Sequence, residues 1–255
     1  MASENKRRRF LARAFGGAAA LMAAGCERLS HSEWFPAFLG AGERLSSGAQ
    51  HLVTSRKSMA QEFTEADLSP QFRSNGTAKP DNPQYQVLAA RGFADYRLQV
   101  TGLVEKPAEF SLAELRELPS RTQITRHDCV EGWSAIGKWQ GVQLSRVLGR
   151  VRPRSEARYV VFHCADPMEA DGPKYYESID MEDAYHPQTI LAYQLNDEPL
   201  PISNGAPLRV RIERQLGYKM AKFIMSIELV SSFEKIGGGK GGYWEDQGYQ
   251  WYAGI

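Results

Sequence analysis

From Tyr96 to Val230 the sequence changes hydrophobic period every few residues, and this constrains the fold more than any other feature. Arg97–Val104 alternates apolar and polar residues, and Thr122–Arg126 alternates again. Period two puts successive side chains on opposite faces of a sheet, so both segments read as strands. Arg158–Cys164 contains Tyr-Val-Val-Phe and reads as a buried strand. Ile190–Gln194, Leu208–Glu213 and Phe223–Val230 are further strand candidates. Between them lie short helix signals. Ser111 and Glu114 form a capping box that opens a helix ending before Pro119. Gln143–Val151 and Asp180–Tyr185 suit helices. Many strands with short interspersed helices predict an α+β fold, β-rich, with mixed sheets. There is no repeat and no heptad run. Asn75–Pro83 is too rich in turn formers to hold a regular element. Gly237–Gly242 lacks the strand and spacing of a phosphate loop and reads as a turn.

Composition narrows the class. The chain has 255 residues, with 31 Lys+Arg against 30 Asp+Glu, 42% hydrophobic and 24% charged residues. These are globular values, unlike those of a disordered, collagenous or multi-span membrane chain. A net charge of +1 argues against nucleic acid as partner, since phosphate binding normally needs a basic excess. Three cysteines are too few for a disulfide scaffold.

The first residues read as an address. Lys6-Arg7-Arg8-Arg9-Phe10-Leu11 precedes the apolar stretch Ala14–Ala24. That stretch is too short to cross a bilayer core of about 30 Å. The pattern predicts a signal peptide over residues 1–25, and the paired arginines with Phe-Leu resemble a twin-arginine export signal. Small residues directly before Cys26 resemble a lipobox, so Cys26 is the expected lipid-bearing start of the mature chain. Cleavage there removes five bases and one acid and leaves a net charge of −3. The expected location is the periplasm or the outer face of the cytoplasmic membrane. Residues 26–74 read as a wrapping segment with two weak helical patterns, Trp34–Arg44 and Leu52–Glu62. Residues 75–255 read as the catalytic domain.

Arg126-His127-Asp128-Cys129-Val130-Glu131-Gly132-Trp133-Ser134 is the stretch most suggestive of chemistry. It puts a cysteine at a strand-to-loop junction among charged residues. Nearby cations favour the thiolate, and a thiolate is a soft donor suited to a soft or high-valent metal. Glu131 is a candidate proton relay or orienter of a metal-bound water, or a structural carboxylate that caps backbone amides. Arg126 is a candidate to attract an oxyanion or support the thiolate.

This stretch resembles the cofactor loop of the sulfite-oxidase superfamily of molybdenum enzymes. It is most similar to that of the bacterial exported catalytic subunits related to the periplasmic protein-methionine-sulfoxide reductase. That branch reads Cys-Val-Glu-Ala-Trp-Ser where this chain has Cys-Val-Glu-Gly-Trp-Ser. The resemblance implies a sulfite-oxidase-type molybdopterin-binding fold, with Mo-molybdopterin as cofactor and Cys129 as molybdenum ligand. Asn204-Gly205-Ala206-Pro207-Leu208-Arg209 matches a family segment whose Asn and Arg contact the pterin and its phosphate, which implies Asn204 and Arg209. Gly217-Tyr218-Lys219-Met220-Ala221-Lys222 matches a second segment. Its backbone (Gly217, Lys219, Met220, Ala221) and Lys222 are implied at the phosphate end. Asn75 falls near a pterin-binding Asn, and Cys164 where a pterin-contacting Thr sits. His186-Pro187 matches a family His-Pro pair. A phosphate dianion suits Arg as a fork and Lys as a point charge. Arg209 and Lys222 lie in otherwise buried-looking strand segments, where an unpaired cation is costly.

The implied chemistry is two-electron oxygen-atom transfer, reductive on a sulfoxide-like or N-oxide-like substrate, small or protein-bound. Sulfite-oxidase-like oxidation is the alternative. The sequence holds no Cys-x-x-Cys-His haem site and no iron–sulfur spacing. Electrons are therefore expected from a membrane-bound haem or quinone-linked partner.

Other readings stay open on residues alone. His127, Cys129, His163 and Cys164 could form a zinc or copper site. Cys129 and Cys164 could form a disulfide in a ligand-binding lipoprotein. Arg209 and Lys222 could pair with Glu213 or Glu228. His127 and His163 could be structural hydrogen-bonders. Tyr175, Tyr176 and Tyr185 could line a funnel or simply pack. The tail Tyr243–Tyr252, with five aromatics in ten residues, reads as a strap over the body, with a partner-docking surface as alternative.

Overall fold

A computed structural model describes residues 57–169 and 172–255. Ten strands appear in chain order. They are β1 (Arg97–Gly102), β2 (Ala108–Ser111), β3 (Ser120–Cys129), β4 (Trp133–Gln143), β5 (Tyr159–Pro167), β6 (Lys174–Asp180), β7 (Ile190–Leu195), β8 (Glu198–Pro199), β9 (Arg209–Arg211) and β10 (Ile224–Val230). The helices are α1 (Pro83–Ala90), α2 (Leu112–Glu117), α3 (Leu144–Val151), α4 (Met181–Ala184) and α5 (Tyr243–Asp246). One sheet runs β2-β1-β10-β5-β6, and the second runs β3-β4-β7-β8 with β9 also on β7. The β1–β10 pair is parallel and its neighbours are antiparallel, so the first sheet is mixed. The fold is α+β and β-rich, as the changing periods imply.

Helix α2 starts on the predicted capping box, with Ser111 accepting from the Glu114 N–H and the Ser111 N–H donating to Glu114 Oε2. Leu144, Val147, Leu148 and Val151 of α3 are spaced to share one face, and all four are fully buried. Each contributes about 1.5–3 kcal/mol by leaving water. They join Leu98, Val100, Val160, Phe162, Ile227 and Leu229 in the core against the first sheet. Trp139, Ile190, Ala192, Leu195 and Leu200 form a second cluster on the other sheet.

Several expectations are corrected. Strand β4, absent from the sequence reading, is the longest strand of the second sheet. Its Gly137 and Gly141 hid it, because glycine weakens a strand pattern. A Cβ on Gly141 would lie 2.2 Å from the Leu191 carbonyl oxygen, and the ladder slips its register there. Strands β2 and β6 were likewise missed. Leu208–Glu213 shrinks to β9. β1 ends at Gly102, where φ is +85° and a Cβ would strike Leu229 O. Asn82 caps α1 with Pro83 at its first position, so a helix begins where only turns were expected. The Trp34–Arg44 pattern lies outside the described residues, as does the first half of Leu52–Glu62. Lys57–Glu62 is not helical. It lies over the second sheet, where Ala60 and the Gln188 side chain exchange hydrogen bonds of 2.7 and 3.1 Å. Among the described residues no helix is long and apolar enough to cross a membrane.

Candidate functional site

Strands β3 and β4 form a hairpin in which Cys129 pairs with Trp133. Gly132 turns the chain at φ +83°, donating its N–H to the Cys129 carbonyl at 3.0 Å. The hairpin tip opens onto a cavity of about 250 Å³. Six separate stretches line it: Asn75–Thr77, Cys129–Glu131, Asp166 with Met168, Tyr175 from β6, Gly217 to Lys222 through Tyr218 and Met220, and the strap through Trp244 and Tyr249.

The decisive feature is a pair of buried cations with no carboxylate at ion-pair distance among the described residues. Arg209 is fully buried on β9 and Lys222 is 6% exposed. Arg209 donates to Asn75 Oδ1 at 3.0 Å and to the Asn204 carbonyl at 3.3 Å, and its Nε has no partner. Lys222 Nζ donates to three carbonyls, Thr77 at 2.5 Å, Asn75 at 2.6 Å and Ser203 at 2.9 Å. Among the described residues neither forms an ion pair. The carboxylates considered as partners are already engaged. Glu213 is gripped by the Arg211 fork at 2.9 and 2.6 Å, and Glu228 meets His163 at 3.0 Å. Burial, then repulsion from its neighbouring arginine, pulls Arg209 down to about 9 and Lys222 down to about 7. Burial pushes Asp166, beside Lys222, up to about 6. Cations held at such cost call for an anion.

Cys129 is half-buried and free. Burial raises its thiol pKa, outweighing the backbone N–H of Glu131 and the cations Arg209 and Lys222 that pull it down. The expected thiolate is therefore not produced by neighbouring charge alone. Glu131 lines the cavity, tied by the Trp133 indole N–H at 2.9 Å and by the Gly76 N–H at 3.4 Å. Arg126 is not brought to Cys129. Three residues along a strand reverse the face, so Arg126 points outward, 2.9 Å from Asp128. His127 does share the inner face. It is buried and kept neutral by burial and by Arg209, Arg211 and Lys222, and its Nδ1 accepts from Arg211 at 3.0 Å.

The residues implied by resemblance divide. Asn75, Gly217, Met220 and Lys222 line the cavity. Asn204 sits behind Arg209 with its Nδ2 unpartnered. Ala221 is buried in the core. Cys164 is buried among apolar side chains, opposite Ile224 in the ladder, and does not line this cavity. The Lys219 side chain turns away and binds Glu177 and Glu245, both at 2.5 Å. His186 accepts from the Gln188 N–H. The zinc or copper reading fails. Among the described residues no three His, Cys, Asp or Glu side chains converge. His163 faces Glu228 while its neighbour Cys164 faces the core. The disulfide reading fails too, since both cysteines are free. The sequence reading missed Asp166, Tyr218, Trp244 and Tyr249. An aspartate inside an apolar strand was the available signal for the first.

Three buried polar atoms, Arg209 Nε, Asn204 Nδ2 and His127 Nε2, lack hydrogen-bond partners. A Cβ on Gly217 would lie 2.4 Å from that His127 nitrogen, so only glycine fits where the cavity floor meets the ring. A free thiol and Lys222 at one cavity, with Arg209 and orphaned donors buried close behind, suit the binding of an anionic ligand.

The family described as the oxidoreductase molybdopterin-binding domain matches residues 85–235, and the chain belongs to it. It is 37% identical over 248 residues to a protein of Azospira oryzae named, provisionally, protein-methionine-sulfoxide reductase subunit YedZ1. That match covers 97% of this chain and 87% of the relative. It is 32% identical to the protein-methionine-sulfoxide reductase catalytic subunit MsrP of Ralstonia nicotianae, over 89% of this chain and 69% of that one. The MsrP of Xanthomonas axonopodis pv. citri is 41% identical over 62% of this chain, which spans only 52% of that relative's length. The chain is thus a molybdopterin-binding oxidoreductase.

Proposed function

We propose that this oxidoreductase is exported, holds Mo-molybdopterin in the Cys129 cavity and reduces a sulfoxide, with protein-bound methionine sulfoxide the substrate class its named relatives suggest. The observation that carries this reading is the pair of buried cations, Arg209 and Lys222, with no carboxylate at ion-pair distance among the described residues, beside the free Cys129. Cys129 would ligate the metal. Arg209 and Lys222 would neutralise the cofactor's phosphate, and Asn75, Asn204 and the backbone of Gly217–Lys222 would fix its polar edges. When bound, the cofactor supplies two-electron oxygen-atom transfer.

The chain's own groups do the rest. Glu131 is oriented by Trp133 and Gly76 and presents a carboxylate at the cavity that can hold and pass a proton. Neutral His127 braces Arg211 beneath the floor. Apolar side chains of Met168, Tyr175 and Trp244 limit water on the remaining wall. The electron donor is a one-electron haem or quinone-linked membrane protein, since this sequence carries no centre of its own for that step. The twin-arginine pattern and Cys26 support a location at the outer face of the cytoplasmic membrane, and a lipid on Cys26 would hold the enzyme beside that donor.

The test is a cofactor-loaded preparation assayed for dye-linked reduction of methionine sulfoxide, dimethyl sulfoxide and an N-oxide. Wild-type activity on sulfoxides and its loss in Cys129→Ser are expected. Undiminished turnover in that variant would overturn the assignment.

A further inference from the structure

The family match ends at residue 235, yet the strap beyond it supplies part of the cavity wall through Trp244 and Tyr249. These rings are mounted with care. Trp244 and Tyr249 lie 5.3 Å apart at 32°, and Tyr249 meets Tyr218 edge-on at 5.3 Å. Tyr218, itself a cavity residue, ties the strap with its hydroxyl donating to the Gln250 carbonyl at 2.6 Å.

The residue after Trp244 is the anchor. Glu245 is 1% exposed and accepts from Lys219 Nζ, which also holds Glu177. A buried carboxylate is tolerable only when paired, so α5 can seat in one place. Asp246 accepts from the Tyr176 hydroxyl at 2.6 Å and from the Gly238 N–H at 2.7 Å. Trp251 donates to Ser178 Oγ at 2.9 Å and packs edge-on against Tyr159. The strap is fixed before and after Tyr249, while Tyr249 itself stays 42% exposed at the rim. Trp244 packs on the core while Tyr249 stays at the rim, and both face the cavity.

We infer that Trp244 and Tyr249, with Tyr218, are specificity-determining residues that receive the apolar arm of a thioether-type sulfoxide. This rests on the sulfoxide-reductase reading above. The methyl and methylene groups flanking a sulfoxide pack against aromatic rings, the thioether product adds a sulfur–ring contact, and Met168 and Met220 extend the apolar surface. An inorganic oxyanion would gain nothing from such a wall. A methionine sulfoxide side chain gains its methyl and methylene contacts there, leaving its oxygen for the polar part of the cavity that holds Cys129. The triad Glu177–Lys219–Glu245 is the positioning device for these rings.

The test uses loaded holoenzyme carrying Trp244→Ala, Tyr249→Ala or both, with Trp244→Phe as the ring-preserving control and molybdenum content measured throughout. Methionine sulfoxide KM should rise about tenfold in the double variant, with kcat changed less than KM, and Trp244→Phe should raise KM less than Trp244→Ala does. Titrating wild-type holoenzyme with methionine should give a saturable change in tryptophan fluorescence that Trp244→Phe removes. An active wild type with unchanged KM in the double variant overturns the inference. Molybdenum lost from the alanine variants also overturns it, since the rings would then serve the cofactor. A loaded wild type inactive on sulfoxides overturns the reductase reading beneath it.

Discussion

Asp166 and Lys222 show how single residues report the cavity's purpose. Asp166 is 4% exposed, its Oδ1 has no hydrogen-bond partner, and burial lifts it from the usual carboxylate value to about 6. A folded-state pKa above the unfolded one means the native protein binds the extra proton between about pH 4 and 6. Native stability is therefore lost as pH rises through that window. Asp166→Asn in the metal-free protein should be more stable than wild type at pH 8, by about 1–3 kcal/mol. The advantage should vanish below about pH 4. Urea unfolding at the two pH values measures it, and an equal difference at both would contradict the assignment. Lys222 has the opposite sign. Its pKa falls from 10.5 to about 7, so its burial cost is present in full below about pH 7, shrinks as pH rises and is gone only above about 10.5, unless a bound anion offsets it.

At the scale of elements, the pleat decides which residues meet. The sequence reading grouped Arg126 with Cys129 because they are near in sequence. Strict alternation along β3 puts His127 with Cys129 and turns Arg126 outward. Lys219 and Lys222 also part, here because a one-turn 3-10 helix ends at Lys219 and the chain runs on as a loop to β10. The Lys219 side chain holds the strap and Lys222 faces the cavity, while only the backbone of Lys219 was expected at the phosphate end. What was legible came from strong local signals: the Ser111 capping box, the apolar face of α3 and the buried run in β5. What was not legible depended on long-range contact. Strand β4 is built around a glycine that only the approach of β7 explains. The strap's role depends on a buried lysine 26 residues away. Lys219→Met should leave Glu177 and Glu245 buried without a counter-charge, at a cost of about 3–5 kcal/mol. It should also expose residues 236–255 to limited proteolysis. A protease-resistant variant of wild-type stability would refute the latch.

At the scale of the whole molecule, six stretches spread from Asn75 to Tyr249 line one cavity. A ligand held that way needs the chain folded around it, which suits export of an already folded protein. On the proposed cleavage before Cys26, the remaining chain would carry a net charge of −3. Replacing Arg7 and Arg8 by lysine should strand the loaded enzyme inside the cell, as fractionation would show, whereas normal envelope accumulation would rule out the twin-arginine reading. The central claim is that Cys129 holds molybdenum in this cavity. The direct measurement is molybdenum analysis with X-ray absorption on the loaded wild type and Cys129→Ser. About one molybdenum per wild-type chain is expected, with one fewer sulfur ligand on any metal the variant retains. A sulfur count that is the same in both proteins would contradict it.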